Sequence, residues 1–254
     1  MKMFNPDPKI ELINIPGHFP CVVIDDFLLN PESFVEFASA SRGLFNRDEN
    51  GYYPGVEMSM PDEYSRQLGD FFMRHVAPHL GAGNILDLYS RMSMVTLQPD
   101  ELKPSQRICH RDRLVSDPAL SAVASVLYLF RNAEFGGTSF YVPKISLEEL
   151  AGLQPKWWAM PDVEFSKAIG SEPAYMISSN PYFELVCTVP AAWNRIIFYE
   201  GTIFHSGHIT VPGQLNSDPL RGRLTINSFF LCNRAGMAKS SNFENYPISK
   251  AVAV

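Results

Sequence analysis

The sequence predicts an α+β chain that is mainly β. Three observations carry this. Two amphipathic helical patterns come first, before residue 89. Seven short β-type runs bounded by Pro, Gly, Asn or Asp then fill the chain from residue 89 to 233. There is no regular alternation of strand and helix and no G-x-G-x-x-G, which argues against a nucleotide-binding Rossmann domain. Helices first and antiparallel strands after them imply helices packed on a sheet, with a sandwich or barrel core.

The elements follow in order. "PCVVIDDFL" (20–28) has the apolar run of a short buried strand. In "NPESFVEFASAS", Asn30 suits a helix cap, Pro31 suits the first helical position, and Phe34, Val35 and Phe37 form an apolar stripe. "RDENGYYPGVEMSMP" (47–61) reads as turn-rich loop. "PDEYSRQLGDFFMRHVAPHLG" (61–81) reads as a second amphipathic helix, stopped by Pro78 and Gly81. The strand runs are "YSRMSMVTLQP", "QRICHRDR", "SAVASVLYLF", "GGTSFYVP", "YFELVCTVP", "NRIIFYEGTIFH" and "RLTINSFFLCN". Residues 144–180 interrupt them with helix-like pieces and Trp157 and Trp158, and read as an insertion between two strands. No repeat and no low-complexity segment appears. The expected organisation is one domain over 1–254, with a helical part over about 1–88 and an insertion over about 144–180.

Composition narrows the function. With 254 residues, 46% hydrophobic and 19% charged, the chain can bury a full core. No window nears 18 consecutive apolar residues, so no transmembrane helix is expected. The first residues have no long apolar stretch of the secretory type, and the expected location is the cytoplasm. A net charge of −6 without a basic run argues against nucleic acid and anionic membranes as partners. Cys21, Cys109, Cys187 and Cys232 are widely spaced and form no C-x-x-C pair, which suits free thiols better than disulfides or zinc.

The chemistry centres on "QRICHRDRLVSD" (106–117). A kinase catalytic loop would need asparagine five positions after the aspartate, and that position is Asp117. On a strand, residues i and i+2 share a face, so His110 and Asp112 project together. An imidazole and a carboxylate side by side are two-thirds of a 2-His-1-carboxylate metal site. The third ligand is expected on a late strand: His205 at the end of "IIFYEGTIFH", with His208 as the reserve. Arg223 and Thr225 are again i and i+2, and the run around them is otherwise uncharged. Guanidinium and hydroxyl together suit the distal carboxylate of a dicarboxylate. Arg221 is a weaker candidate.

The ordered set of H-x-D, "VLYLFRNAEFGGTSFY", "IIFYEGTIFHSG" and R-x-T resembles the Fe(II)/2-oxoglutarate-dependent dioxygenase superfamily, in the style of its phytanoyl- and prolyl-hydroxylase branches. "CVVIDDFLLNPE" is similar to the start of several members, and the chain resembles a bacterial branch marked by "YYPG" and "GRLTINSFF". The resemblance covers most of residues 20–232. It implies a double-stranded β-helix (jelly roll), iron held by His110, Asp112 and His205, and 2-oxoglutarate anchored by Arg223 with help from Thr225. It further implies hydroxylation of an unactivated C–H bond in a small-molecule or peptide substrate. Arg223 lies 18 residues after His205, further than in many members, so the segment between them is expected to be an enlarged turn. The alternative is a cupin-like protein that binds metal or a small molecule without turnover.

Other residues have a structural and a functional reading side by side. Tyr52 and Tyr53 are turn residues or line a substrate entrance. Trp157 and Trp158 are packing residues or a substrate-side lid. His208 is a turn residue or lies on the substrate side. Ser93 and Tyr128 suit core packing or contact with the co-substrate. Gly136 and Gly137 make a tight turn in either case. An edge strand or the aromatic insertion offers a surface for a homodimer.

Overall fold

The structure is a computed structural model that describes residues 2–48, 51–112, 115 and 117–236. The strands are β1 (Ile10–Ile13), β2 (Cys21–Ile24), β3 (Gly55–Ser59), β4 (Ala82–Val95), β5 (Leu120–Tyr128), β6 (Thr138–Pro143), β7 (Phe183–Val189), β8 (Arg195–Glu200), β9 (Phe204–Gly207) and β10 (Arg223–Arg234). The helices are α1 (Pro31–Ala40), α2 (Asp62–His75), α3 (Leu147–Ala159) and α4 (Asp162–Ile169). The strands form two antiparallel sheets: a seven-stranded one in the order β1-β2-β8-β5-β10-β4-β3, and a three-stranded one in the order β7-β6-β9.

Side-chain alternation assigns the faces of the large sheet. On β10, Leu224, Ile226, Phe230 and Cys232 join Met92 and Met94 of β4, Leu127 of β5 and Phe198 of β8 in one apolar cluster. Tyr64, Leu68 and Phe72 of α2 complete it, so the helices cover this face. The other face carries Val95, Ala124, Tyr128, Ile197 and Tyr199, which pack with Phe140 of β6 and Val189 of β7. The two sheets therefore face one another across this second cluster, and Arg223 and Thr225 belong to that inner side by parity. A third cluster lies behind the small sheet, where Tyr141, Phe183 and Phe204 meet Leu150, Trp157, Phe165 and Ile169 of α3 and α4.

The local signals are partly realised. Asn30 is the N-cap of α1 and Pro31 opens the helix, but the Asn30 side chain makes no capping bond. α2 ends at His75, and a 3₁₀ turn over Ala77–Leu80 follows, closed by Gly81 at φ +58°. The insertion carries α3 and α4. Ser146 and Glu149 form a reciprocal cap at the start of α3, with Ser146 Oγ accepting from Glu149 N at 3.2 Å and Glu149 Oε2 accepting from Ser146 N at 2.9 Å.

Three expectations need correction. The loop expected over 47–61 contains strand β3, which survives its turn-rich composition because β4 supplies five paired positions. "NRIIFYEGTIFH" is two strands. A turn at Gly201–Thr202, closed by Ile203 N donating to Glu200 O at 3.1 Å, moves the chain from the large sheet to the small one. "QRICHRDR" is not a strand. A 3₁₀ turn at Pro104–Gln106 ends on its first residue, and its one pairing among the described residues is an antiparallel bridge between His110 and His205. Arg113, Leu114 and Ser116 of this region lie outside the described residues.

Candidate metal centre

The centre is built where the small sheet meets the large one. His110 and His205 exchange both backbone bonds, His110 N to His205 O and His205 N to His110 O, each at 2.9 Å. This bridge holds the two imidazoles 4.5 Å apart, centroid to centroid. Two residues on, Asp112 N donates to Gly201 O at 3.0 Å, which turns the carboxylate toward the same spot. His110 Nε2 lies 3.7 Å from Asp112 Oδ1, and His205 Nε2 lies 3.4 Å from Asp112 Oδ2. One donor atom from each of the three lies within 4.8 Å of the others. Adjacent donors around an ion with bonds of about 2.1 Å stand about 3 Å apart. The Asp112 contacts to His205 and His110, at 3.4 and 3.7 Å, would close by about half an ångström around one ion, and the widest donor pair, at most 4.8 Å apart, by more. Two imidazole nitrogens and one carboxylate suit a divalent transition metal with open positions on the far side.

The surroundings fix the ligands. His205 Nδ1 lies 3.0 Å from Ile203 O, so it carries the proton and leaves Nε2 free toward the site. Tyr199 Oη makes a long contact of 3.5 Å to Asp112 Oδ2. The side chains of His205 and Asp112 keep 6% and 10% of their surface, and that of His110 keeps 43%, so the site opens on the His110 side. Burial works against a charged His205, but the Asp112 carboxylate outweighs it and holds the imidazole above the usual histidine range. Burial likewise disfavours the Asp112 carboxylate, yet His205 and His110 hold it below the usual range. Desolvation and the neighbouring His205 push His110 down. Without metal, the Asp112 carboxylate thus favours a proton on His205, and burial disfavours one on His110.

Arg223 is 4% exposed and has no carboxylate partner among the described residues. Its Nε donates to Phe135 O at 3.0 Å, and its Nη2 donates to Gly136 O at 3.3 Å and Gly137 O at 3.1 Å, which leaves Nη1 without a hydrogen-bond partner among the described residues. The two glycines thus do more than turn the chain. Their carbonyls orient the guanidinium, and at Gly137 a Cβ would stand 1.9 Å from Val189 O. Gly207, two residues after His205, lies against Arg223: a Cβ there would be 3.8 Å from Nη2. Thr225 is buried beside it, with Oγ1 3.4 Å from Ser93 O. The segment between His205 and Arg223 is the enlarged turn expected, containing one 3₁₀ turn at Pro212–Gln214.

Other candidates fall elsewhere. His208 is not beside the triad. Its Nδ1 lies 2.8 Å from Ser139 Oγ, which β6 alternation turns away from Phe140 and the inner side. Trp157 is 1% exposed and packs against Phe165 and Tyr182 behind the small sheet, so it is core of the insertion and not a lid. Tyr53 does not line an entrance: its hydroxyl is enclosed, and the charges of Arg223 and Glu57 both act on it. Arg221 is exposed. Arg111 points away from the centre and lies over the Phe204 ring at 4.7 Å.

A family model described as a family of unknown function, DUF6445, matches residues 6–230. The chain belongs to that family. No curated protein matches it. Among solved structures, this family member is similar to HygX from Streptomyces hygroscopicus with nickel and 2-oxoglutarate bound (11% identity, 92% of each chain, TM-score 0.47). It is similar to a Pseudomonas putida prolyl-4-hydroxylase (13% identity, 87% of this chain and 95% of that one, TM-score 0.43). It is also similar to the epimerase SnoN in complex with Fe3+, alpha ketoglutarate and nogalamycin RO (15% identity, 92% and 90%, TM-score 0.42).

Sequence reasoning missed Tyr199 and the turn after it. Gly201 and Ile203 supply the carbonyls that hold Asp112 and His205, and Glu200 of the same turn is fastened by His18 at 3.2 Å and by Thr202 Oγ1 at 2.9 Å. The available signal was parity: Tyr199 alternates with Phe198, which faces the helices.

Proposed function

We propose that this protein is an Fe(II)- and 2-oxoglutarate-dependent dioxygenase that hydroxylates a small-molecule or peptide substrate, and that its two sheets are the halves of a double-stranded β-helix. One observation carries the reading: a His-Asp-His cluster shares the space between the sheets with a buried arginine that lacks an anion. A buried guanidinium without a carboxylate is costly, and a bound acid relieves that cost. His110, Asp112 and His205 would hold the iron. Arg223 Nη1, with Thr225 beside it, would take the distal carboxylate of 2-oxoglutarate. Bound iron, 2-oxoglutarate and O₂ together supply the oxidation, with succinate and CO₂ as the co-products.

This chain's own residues position and shield. The His205 Nδ1 contact to Ile203 O keeps Nε2 directed at the metal, and the 3.5 Å contact from Tyr199 restrains one oxygen of Asp112. Phe140 and Tyr199 wall His205 from water, with ring centroids 6.5 and 4.8 Å from it. The four cysteines are free thiols, which suits a reducing compartment, and we place the reaction in the cytoplasm. No helix among the described residues is long and apolar enough to cross a membrane.

The test is anaerobic titration of the protein with Fe(II) and 2-oxoglutarate. A weak visible charge-transfer band is expected, and Asp112→Ala should lose it. A wild-type protein without the band, at excess iron and 2-oxoglutarate, would refute the reading. Succinate formed in step with O₂ uptake across a substrate panel separates the enzyme from a cupin-like binding protein.

A further inference from the structure

His110 and His205 hold one another through their backbone bridge. In such a pair the N–H and C=O of each residue point at the partner, and those of its chain neighbours point the opposite way. Cys109 N therefore points away from β9, to a side where no strand among the described residues lies. Cys109 is 1% exposed, and a buried N–H without a partner is costly. Its acceptor is a thioether: Met176 Sδ stands 3.1 Å from Cys109 N.

Met176 belongs to the insertion, in the irregular stretch 171–180 that follows α4. It is 8% exposed and packs with Ile108, Cys109, Tyr141 and Phe204 behind the small sheet. Its backbone reaches the second histidine. Met176 O accepts from Ser206 Oγ at 2.8 Å and from Tyr141 Oη at 2.9 Å. One residue thus grips the neighbour before His110 and the neighbour after His205. A second tie runs beside it. Arg107 is 2% exposed, and its Nη2 donates to Ser166 Oγ of α4 at 2.7 Å and to Ser171 O at 3.0 Å. The chain from Arg107 to Asp112 is therefore held from two sides. Bonds to His205 and Gly201 fix one side, and bonds to the insertion fix the other.

We propose that Met176 is a positioning residue for the metal centre. Its sulfur and its carbonyl set how His110 stands against His205, so the insertion governs how tightly the centre holds an ion. This rests on the reading of His110, Asp112 and His205 as metal ligands, and adds to it a control element from outside the two sheets.

Coupling of this kind is reciprocal, so the unaltered protein offers one test. Co(II) added under argon should slow amide hydrogen exchange at Cys109 and across residues 171–180, a stretch that supplies no ligand to the ion. Met176→Leu offers the second. It keeps most of the volume and removes the acceptor. Calorimetry should show Co(II) binding weakened about tenfold, and the visible Co(II) bands should shift. Met176→Gln, which returns an oxygen acceptor to the N–H, should recover most of the affinity. Wild-type affinity and bands in Met176→Leu would overturn the assignment whatever its melting temperature does, and would make Met176 a packing residue only. Unchanged exchange over 171–180 on Co(II) binding would overturn it as well, and decides the matter if Met176→Leu fails to fold. A wild-type protein that binds no Co(II) would overturn the metal centre together with the proposal.

Discussion

Replacing Arg223 by glutamine tests the anion site most directly. The guanidinium gives three of its contacts to the Phe135, Gly136 and Gly137 carbonyls at 3.0 to 3.3 Å, and only Nη1 remains for a ligand. One hydrogen bond between charged groups contributes about 1.5–3 kcal/mol, which corresponds to about 10- to 150-fold in Kd. The same substitution orphans backbone carbonyls and lowers stability by about 1–3 kcal/mol, so a fall in affinity alone would be ambiguous. A ligand-side cycle removes the ambiguity. Metal-loaded wild type and variant are titrated with 2-oxoglutarate and with 2-oxobutyrate under argon. Wild type should prefer 2-oxoglutarate, and Arg223→Gln should lose that preference while keeping most of its affinity for 2-oxobutyrate. Equal weakening of both ligands would make Arg223 a purely structural residue and refute the reasoning from its missing anion.

Three further outcomes follow from the geometry. Metal must displace the proton that Asp112 holds on His205, whose pKa lies above the usual value. Apparent metal affinity should therefore fall about tenfold per pH unit below that raised pKa and level off above it. Calorimetry in buffers of different ionisation enthalpy should count about one proton released, and a flat profile would contradict the ion pair. The same pair stabilises the metal-free protein fully below the ordinary histidine pKa of about 6.5, and that stability is lost as pH rises through the raised value. Trp157→Ala should cost about 3–5 kcal/mol, seen as a clear drop in melting temperature, because the indole is 1% exposed. A wild-type melting curve would return Trp157 to a ligand-facing role. His208→Ala should leave metal affinity unchanged because its ring is turned to Ser139 at 2.8 Å, and loss of metal would reverse the choice between His205 and His208.

Much of this was legible from local patterns. The helices α1 and α2 were legible because Asn30-Pro31 and the Tyr64/Leu68/Phe72 stripe are local signals, and helices close their hydrogen bonds locally, although β1, β2 and β3 lie before and between them. Strand alternation put Arg223 and Thr225 on one face, opposite Leu224 and Ile226. The spacing of His110 and Asp112 also paired them correctly, though for a different reason. They are joined by one bridge to His205 and one bond to Gly201, not by a continuous strand.

The residue types and their order were thus enough to nominate His110, Asp112, His205 and Arg223. Only the tertiary structure separated His205 from His208, because that choice depends on which face of β6 each meets. Only it split "NRIIFYEGTIFH" between two sheets, made an edge strand of Gly55–Ser59, and brought Tyr53 to Arg223 across 170 residues of chain. Each of these depends on hydrogen bonds and packing between distant segments. A sequence states which groups are available, and long-range pairing decides which of them meet.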